Sequence, residues 1–153
     1  MYRKIVIGIL SSTLIIAVGC NSGESKSTTN SSTAATAEGT DPKGIGPIKN
    51  VQLTHPLDEK MIASGEEIYK VKCSSCHKLT DEKLVGPGWK GVTDRRTPEW
   101  IMNFVTNTDE MIEKDTAAQN LLALCLVKMP NQNLSESDAR SVLEFQRKND
   151  GKQ

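Results

Sequence analysis

Apolar residues recur at helical spacing in four stretches of the second half of the chain, and nowhere do they alternate as in a half-buried strand. Met61, Ile62, Gly65, Ile68 and Tyr69 fall on one face of a helix over 57–72, with Glu66 and Glu67 opposite. Trp100, Ile101, Phe104 and Val105 line one side of a second helix. Its start is written in Thr97-Pro98-Glu99: a capping hydroxyl, a proline at the first helical position, an acid in the first turn. Leu121, Leu122, Leu124, Cys125 and Val127 predict a third helix over 116–127, stopped by Pro130. Ser135-x-x-Asp138 is a near capping box with Leu134 as its staple. It opens a last helix carrying Ala139, Val142, Leu143 and Phe145 to about Lys148. Between the first two helices, Gly86, Pro87, Gly88 and Gly91 predict a loop. The pattern is all-α.

The first half follows a different logic. Arg3 and Lys4 precede an apolar run from Ile5 to Val18. At 14 residues the run is too short to span a bilayer, which takes about 20, but it suits an export signal. It ends Ala17-Val18-Gly19-Cys20, which resembles the lipobox of bacterial lipoproteins, although Ala17 stands where that motif favours Leu. The resemblance implies removal of 1–19 and acylation of Cys20, a stable anchor once more than one acyl chain is attached. Ordinary signal cleavage, with Cys20 a bystander, is the alternative. From Asn21 to Thr40, ten of twenty residues are Ser or Thr and none is a large apolar one, so this stretch cannot offset the entropy of ordering. A flexible tether is expected over 20–55, its last part (41–56, with Ile45, Ile48, Val51 and Leu53) partly docked. A folded domain is expected over 56–149 and a tail over 150–153.

Charge excludes one class. The 19 basic and 19 acidic side chains cancel, whereas a nucleic-acid binder needs a basic excess to displace counterions from phosphates. Aromatics are 4% of the chain, so the core is thin and calls for a disulfide, a metal or a prosthetic group.

Cys73-Ser74-Ser75-Cys76-His77 supplies the chemistry. Two thiols three residues apart, followed by His, form the attachment signature for c-type haem. The thiols add across the two vinyl groups, and the turn between them brings His77 to one face of the ring as an iron ligand. A redox disulfide would need a strand before the motif, and a zinc site would need a second ligand pair. The sixth ligand comes from Met61, Met102, Met111, Met129 or His55. Met129 lies just past a helix end, 129 − 77 = 52 residues after His77, next to Pro130, and is preferred. Met61 and Met102 lie on apolar faces as core filler, and Met111 sits among acids at the start of a turn. His55 would make a bis-His site but lies before the domain. Cys125, on an apolar helix, is expected to be buried and inert.

From about Pro56 to Asn149 the chain resembles a class I monohaem cytochrome c of bacterial type, on Gly65, Tyr69, the CxxCH, Gly86-Pro87 and Lys128-Met129-Pro130. The resemblance implies three to five helices wrapped around one covalent haem c, with iron held by His77 and Met129. It implies that Gly65 lets the first helix cross closely against Phe145, where most members carry Tyr or Trp. It implies that the Pro87 carbonyl accepts from the His77 imidazole, and that Arg95, Arg96 and Trp100 lie near the haem propionates.

The function so implied is not enzymatic: a membrane-tethered electron carrier, expected to be monomeric, held outside the cytoplasm by its lipid (periplasmic side if Gram-negative). Its donor would be a quinol-oxidising complex and its acceptor a terminal oxidase or a denitrification-type reductase. Residues 70–96 carry seven basic against three acidic side chains, and 97–116 five acidic against one basic, a dipole that could steer docking. A peroxidase-like enzyme, with an open iron position, and a gas sensor, with a departing Met129, are the alternatives.

Overall fold

The computed structural model of the chain describes residues 41–153. The expected signal segment, Cys20 and the Ser/Thr-rich stretch lie outside the described residues. Within them the protein is helical, with one isolated antiparallel bridge between His77 and Lys83. The helices are α1 (Glu59–Ile68), α2 (Val92–Arg95), α3 (Pro98–Thr106), α4 (Thr108–Lys114), α5 (Thr116–Cys125) and α6 (Glu136–Asn149), and a π-helical turn, Tyr69–Cys73, continues α1. Three to five helices were expected among these residues. Beyond the four helices that periodicity predicts, the structure adds the four-residue α2 and the seven-residue α4, whose acids at 109, 110 and 113 hide it from a periodicity reading.

The caps act as their sequences dictate. Asp58 accepts from the N–H groups of Lys60 and Met61 and opens α1. Thr97 accepts from Trp100 N–H at 3.1 Å and opens α3. Ser135 and Asp138 exchange hydrogen bonds at 3.1 Å in both directions, a full capping box for α6. Each cap satisfies backbone donors that a helix start leaves open.

Helices α1 and α6 cross in the most extensive helix contact of the fold. Gly65 makes the crossing possible, because it packs against the Ser141 carbonyl and Phe145 of α6. Around them Ile62, Ile101, Met102, Ala139, Val142 and Leu143 form a core that is 3% exposed or less.

Two expectations change here. Met111, read as the start of a turn, is fully buried in α4, and its Sδ accepts from the Ile45 N–H at 2.9 Å. Cys125 is half-buried, not buried, and its neighbours Leu124, Leu126 and Val127 are exposed.

The segment before α1 is docked at intervals along its described part. Ile48 is buried, its N–H donates to Asn103 Oδ1, and Asn103 Nδ2 donates to the carbonyls of Lys43 and Ile48. Residues 41–55, expected as the partly docked end of the tether, form a strap on the body, held largely by polar groups. The expected tail is docked as well. The Asp150 carboxylate accepts from the N–H groups of Gly91 (2.6 Å) and Thr93 (2.9 Å) and from the Thr93 hydroxyl (2.7 Å).

Candidate functional site

The π turn at the end of α1 sets the site. Ser74 N–H reaches back to the Tyr69 carbonyl at 2.9 Å, and the N–H groups of Cys76 and His77 both donate to the Cys73 carbonyl, at 3.0 and 2.9 Å. This tight fold presents Cys73, Cys76 and His77 to one cavity of about 400 Å³. Pro87, Arg95, Arg96, Trp100 and Met129 line the same cavity, so all eight residues singled out from the sequence come together there.

His77 is held firmly. Its Nδ1 lies 2.9 Å from the Pro87 carbonyl oxygen. A carbonyl can only accept, so Nδ1 carries the proton and the Nε2 lone pair is left for a metal. Tyr69 OH donates to the His77 carbonyl at 2.8 Å, and Gly86 N–H donates to the Cys76 carbonyl at 2.9 Å. Burial pushes the imidazole pKa down, against the pull of the Pro87 bond, which favours the neutral form that ligates. Gly86 is packed on the ring: an added Cβ would lie 2.3 Å from His77 Cε1. Gly86→Ala is accordingly expected to push the imidazole off Pro87 and destabilise the haem-loaded protein by about 1–3 kcal/mol, read as a lower thermal midpoint.

Burial first, and then the neighbouring Cys76, push Cys73 up to about 11 against the opposing Lys72 charge, while a redox CxxC works through a thiol of depressed pKa. Among the described residues no cluster of three or more His, Cys, Asp or Glu side chains could hold a metal, so the zinc alternative has no ligand set.

Met129 lines the cavity with its thioether. Of the methionines weighed as ligands it alone lines the cavity, while Met102 and Met111 are core. His55 sits elsewhere, its Nδ1 2.9 Å from the Gln153 carbonyl. The candidate propionate residues are partly engaged already. Arg95 donates to the Lys90 carbonyl at 2.8 Å, and Trp100 Nε1 to Asp115 Oδ1 at 3.3 Å. The Arg96 guanidinium lies over the Trp100 ring at 4.5 Å.

Trp89 escaped the sequence reading. It is buried, lines the cavity, and its ring centroid lies 4.9 Å from that of Tyr69 and 5.8 Å from that of His77. Its one signal was a large aromatic inside a glycine-rich loop of an aromatic-poor chain.

An apolar cavity walled by two free thiols and a neutral imidazole with Nε2 available has the groups that covalent haem attachment uses, and a thioether lies in the same cavity. Fold and site together define a c-type haem protein. The family model for cytochrome c matches residues 62–149. A solved cytochrome c from Rhodothermus marinus is 34% identical, over 72% of this chain and 98% of that one, with a TM-score of 0.69. An engineered cytochrome c from the same organism is 33% identical, over 72% of this chain and 99% of that one, with a TM-score of 0.68. The same engineered protein bound to a carbene intermediate matches with a TM-score of 0.65, at 33% identity over 72% and 99%. No curated protein matches. The chain belongs to the cytochrome c family, which carries electrons on covalent haem c, and Cys73 and Cys76 stand at the attachment positions of its CxxCH motif.

Proposed function

We propose that this chain is a tethered single-electron shuttle in which His77 and Met129 would both ligate the haem iron and leave it no open position for a substrate. The observation that carries the reading is that one cavity takes its walls from both segments, the imidazole with its Nε2 free and the thioether from the far side of the chain. The haem supplies one-electron exchange when bound. Pro87 orients the imidazole, Cys73 and Cys76 fix the ring covalently, and Arg96, stacked on Trp100, offers a cation to a propionate. A thioether is a neutral, soft ligand that favours ferrous iron, so a His/Met pair sets a comparatively high potential.

The lipobox-like Ala17-Val18-Gly19-Cys20 supports export and a lipid anchor at Cys20, with 20–40 as tether. Tethering raises the effective concentration at partners in the same membrane. A quinol-oxidising donor and a terminal oxidase or denitrification-type reductase as acceptor fit this placement, and the basic stretch 70–96 suits an acidic docking face.

The test is the ferric spectrum of the haem-loaded protein beside that of Met129→Ala. The parent is expected to show the weak far-red sulfur-to-iron charge-transfer band and the variant to lack it, with a potential lower by on the order of 0.1 V or more. A parent without the band that binds carbon monoxide readily when reduced would restore the enzyme and sensor alternatives.

A further inference from the structure

The segment that carries Met129 is poorly anchored by its own backbone. Among the described residues, Val127–Leu134 makes no backbone–backbone hydrogen bond to the rest of the chain. Two lysines bond this segment and the helix end that leads into it. Lys72, the residue before Cys73 in the π turn, donates from Nζ to the Gln132 carbonyl at 3.1 Å, three residues after Met129. Lys83, in the loop between His77 and Pro87, donates from Nζ to the Leu124 carbonyl at 3.1 Å, five residues before Met129. Both ammonium groups start on the His77 side of the cavity and end on the Met129 side. Lys128 adds a 2.6 Å ion pair with Asp109 of α4, which holds the segment to the body but does not bridge these two walls.

We infer that Lys72 and Lys83 are positioning residues that strap the Met129 segment closed over the cavity and so set how readily the sixth position opens to an outside ligand. The inference rests on the proposed His77 and Met129 ligation. The physical argument is direct. A helix end whose last carbonyls lack partners is stabilised by a cation there, and Lys83 does this for α5 at Leu124. An irregular segment without ladder bonds opens at low cost, so the few hydrogen bonds it has control its opening. Both lysines are exposed, so each bond competes with water and its contribution is modest. The strapping is therefore graded, a closure that holds at rest and yields to a competing ligand.

The experiment titrates the ferric holoprotein with imidazole and follows the far-red band. Lys72→Met and Lys83→Met are each expected to tighten imidazole binding roughly threefold, and the double variant about tenfold. The band should persist in each variant before imidazole is added. Lys72→Arg and Lys83→Arg, which keep a donor of similar reach, should return binding toward the parent. Lys70→Met serves as the control for lost charge, since Lys70 pairs with Glu66 and Glu67 on α1 and touches neither wall. If the band is present in the parent and the double variant binds imidazole as the parent does, the straps are overturned and the ligation reading stands. Equal tightening by Lys70→Met would also overturn them, because the effect would then be one of net charge. A parent without the band overturns both readings together.

Discussion

Gly65→Ala is expected to cost about 3 kcal/mol of stability, and Gly65→Val enough to prevent the haem-loaded fold from forming at 37 °C. The direction is the informative part. Glycine inside an exposed helix is worth about 1 kcal/mol less than alanine, so a Gly→Ala change in α1 would by itself be stabilising. Here the added Cβ would sit 2.1 Å from the Ser141 carbonyl oxygen and 2.6 Å from its carbon, with Phe145 Cβ at 2.9 Å. Two of those three atoms are backbone of α6, so no rotamer change relieves the contact and the helices must separate. Separation would open the contact between Gly65 and Phe145, and with it the tilted packing of Tyr69 against Phe145, ring centroids 5.6 Å apart. Because Tyr69 OH also holds the His77 carbonyl, the damage reaches the site. A denaturant midpoint for Gly65→Ala at or above that of the parent would show that α1 can slide over α6 and that the close crossing is not required.

What the sequence made legible, and what it hid, divides along a physical line. Local signals were readable: the caps at Thr97 and Ser135 and the thiol spacing of 73–77 all act within a few residues of themselves, whereas α5 ends at Cys125 on a left-handed Leu126, short of the expected 127 and of Pro130. The Gly65–Phe145 crossing is long-range, and it was readable because the resemblance to cytochromes c implies it. What stayed hidden is burial by segments distant in the chain. Asn103 looks like one more polar position in α3, yet it is fully buried because the strap at 43–48 arrives to use its amide. Met111 sits among acids in the sequence, so its burial shows only once Gly44 and Ile45 cover it. The converse holds at 124–127, where an apolar run suggested burial but Leu124, Leu126 and Val127 face solvent. A run of apolar residues states what could be buried. Whether a partner element arrives is a property of the whole chain.

Glu144 carries the second large effect, through the same strap. It is fully buried on α6, at one turn's distance from Arg140 and Arg147. Its carboxylate accepts from the Thr54 hydroxyl at 2.7 Å, from the Asp58 N–H at 3.1 Å, and from Arg147 at 2.9 Å. Arg147 in turn donates to the Thr54 carbonyl at 3.2 Å. One side chain thus ties the end of the strap to the last helix. Glu144→Ala is expected to cost about 3–5 kcal/mol, because it leaves the 4% exposed Arg147 as a buried cation short of its partner. Glu144→Gln should cost less, since the amide oxygen still accepts from Thr54 and Asp58. The pH dependence follows from the same contacts. Burial alone would raise this carboxyl; Thr54, Arg140, the Asp58 N–H and Arg147 outweigh it and hold it at about 2. An unfolded glutamate titrates near 4.3, so the folded value is the lower one. The stabilisation is therefore complete above the unfolded pKa and is lost as pH falls from there through about 2. Between pH 6 and pH 3 the parent should lose stability more steeply than Glu144→Gln, which has no carboxyl to protonate. Parallel stability curves for the two proteins over that range would show that other carboxylates, not this buried one, govern acid unfolding.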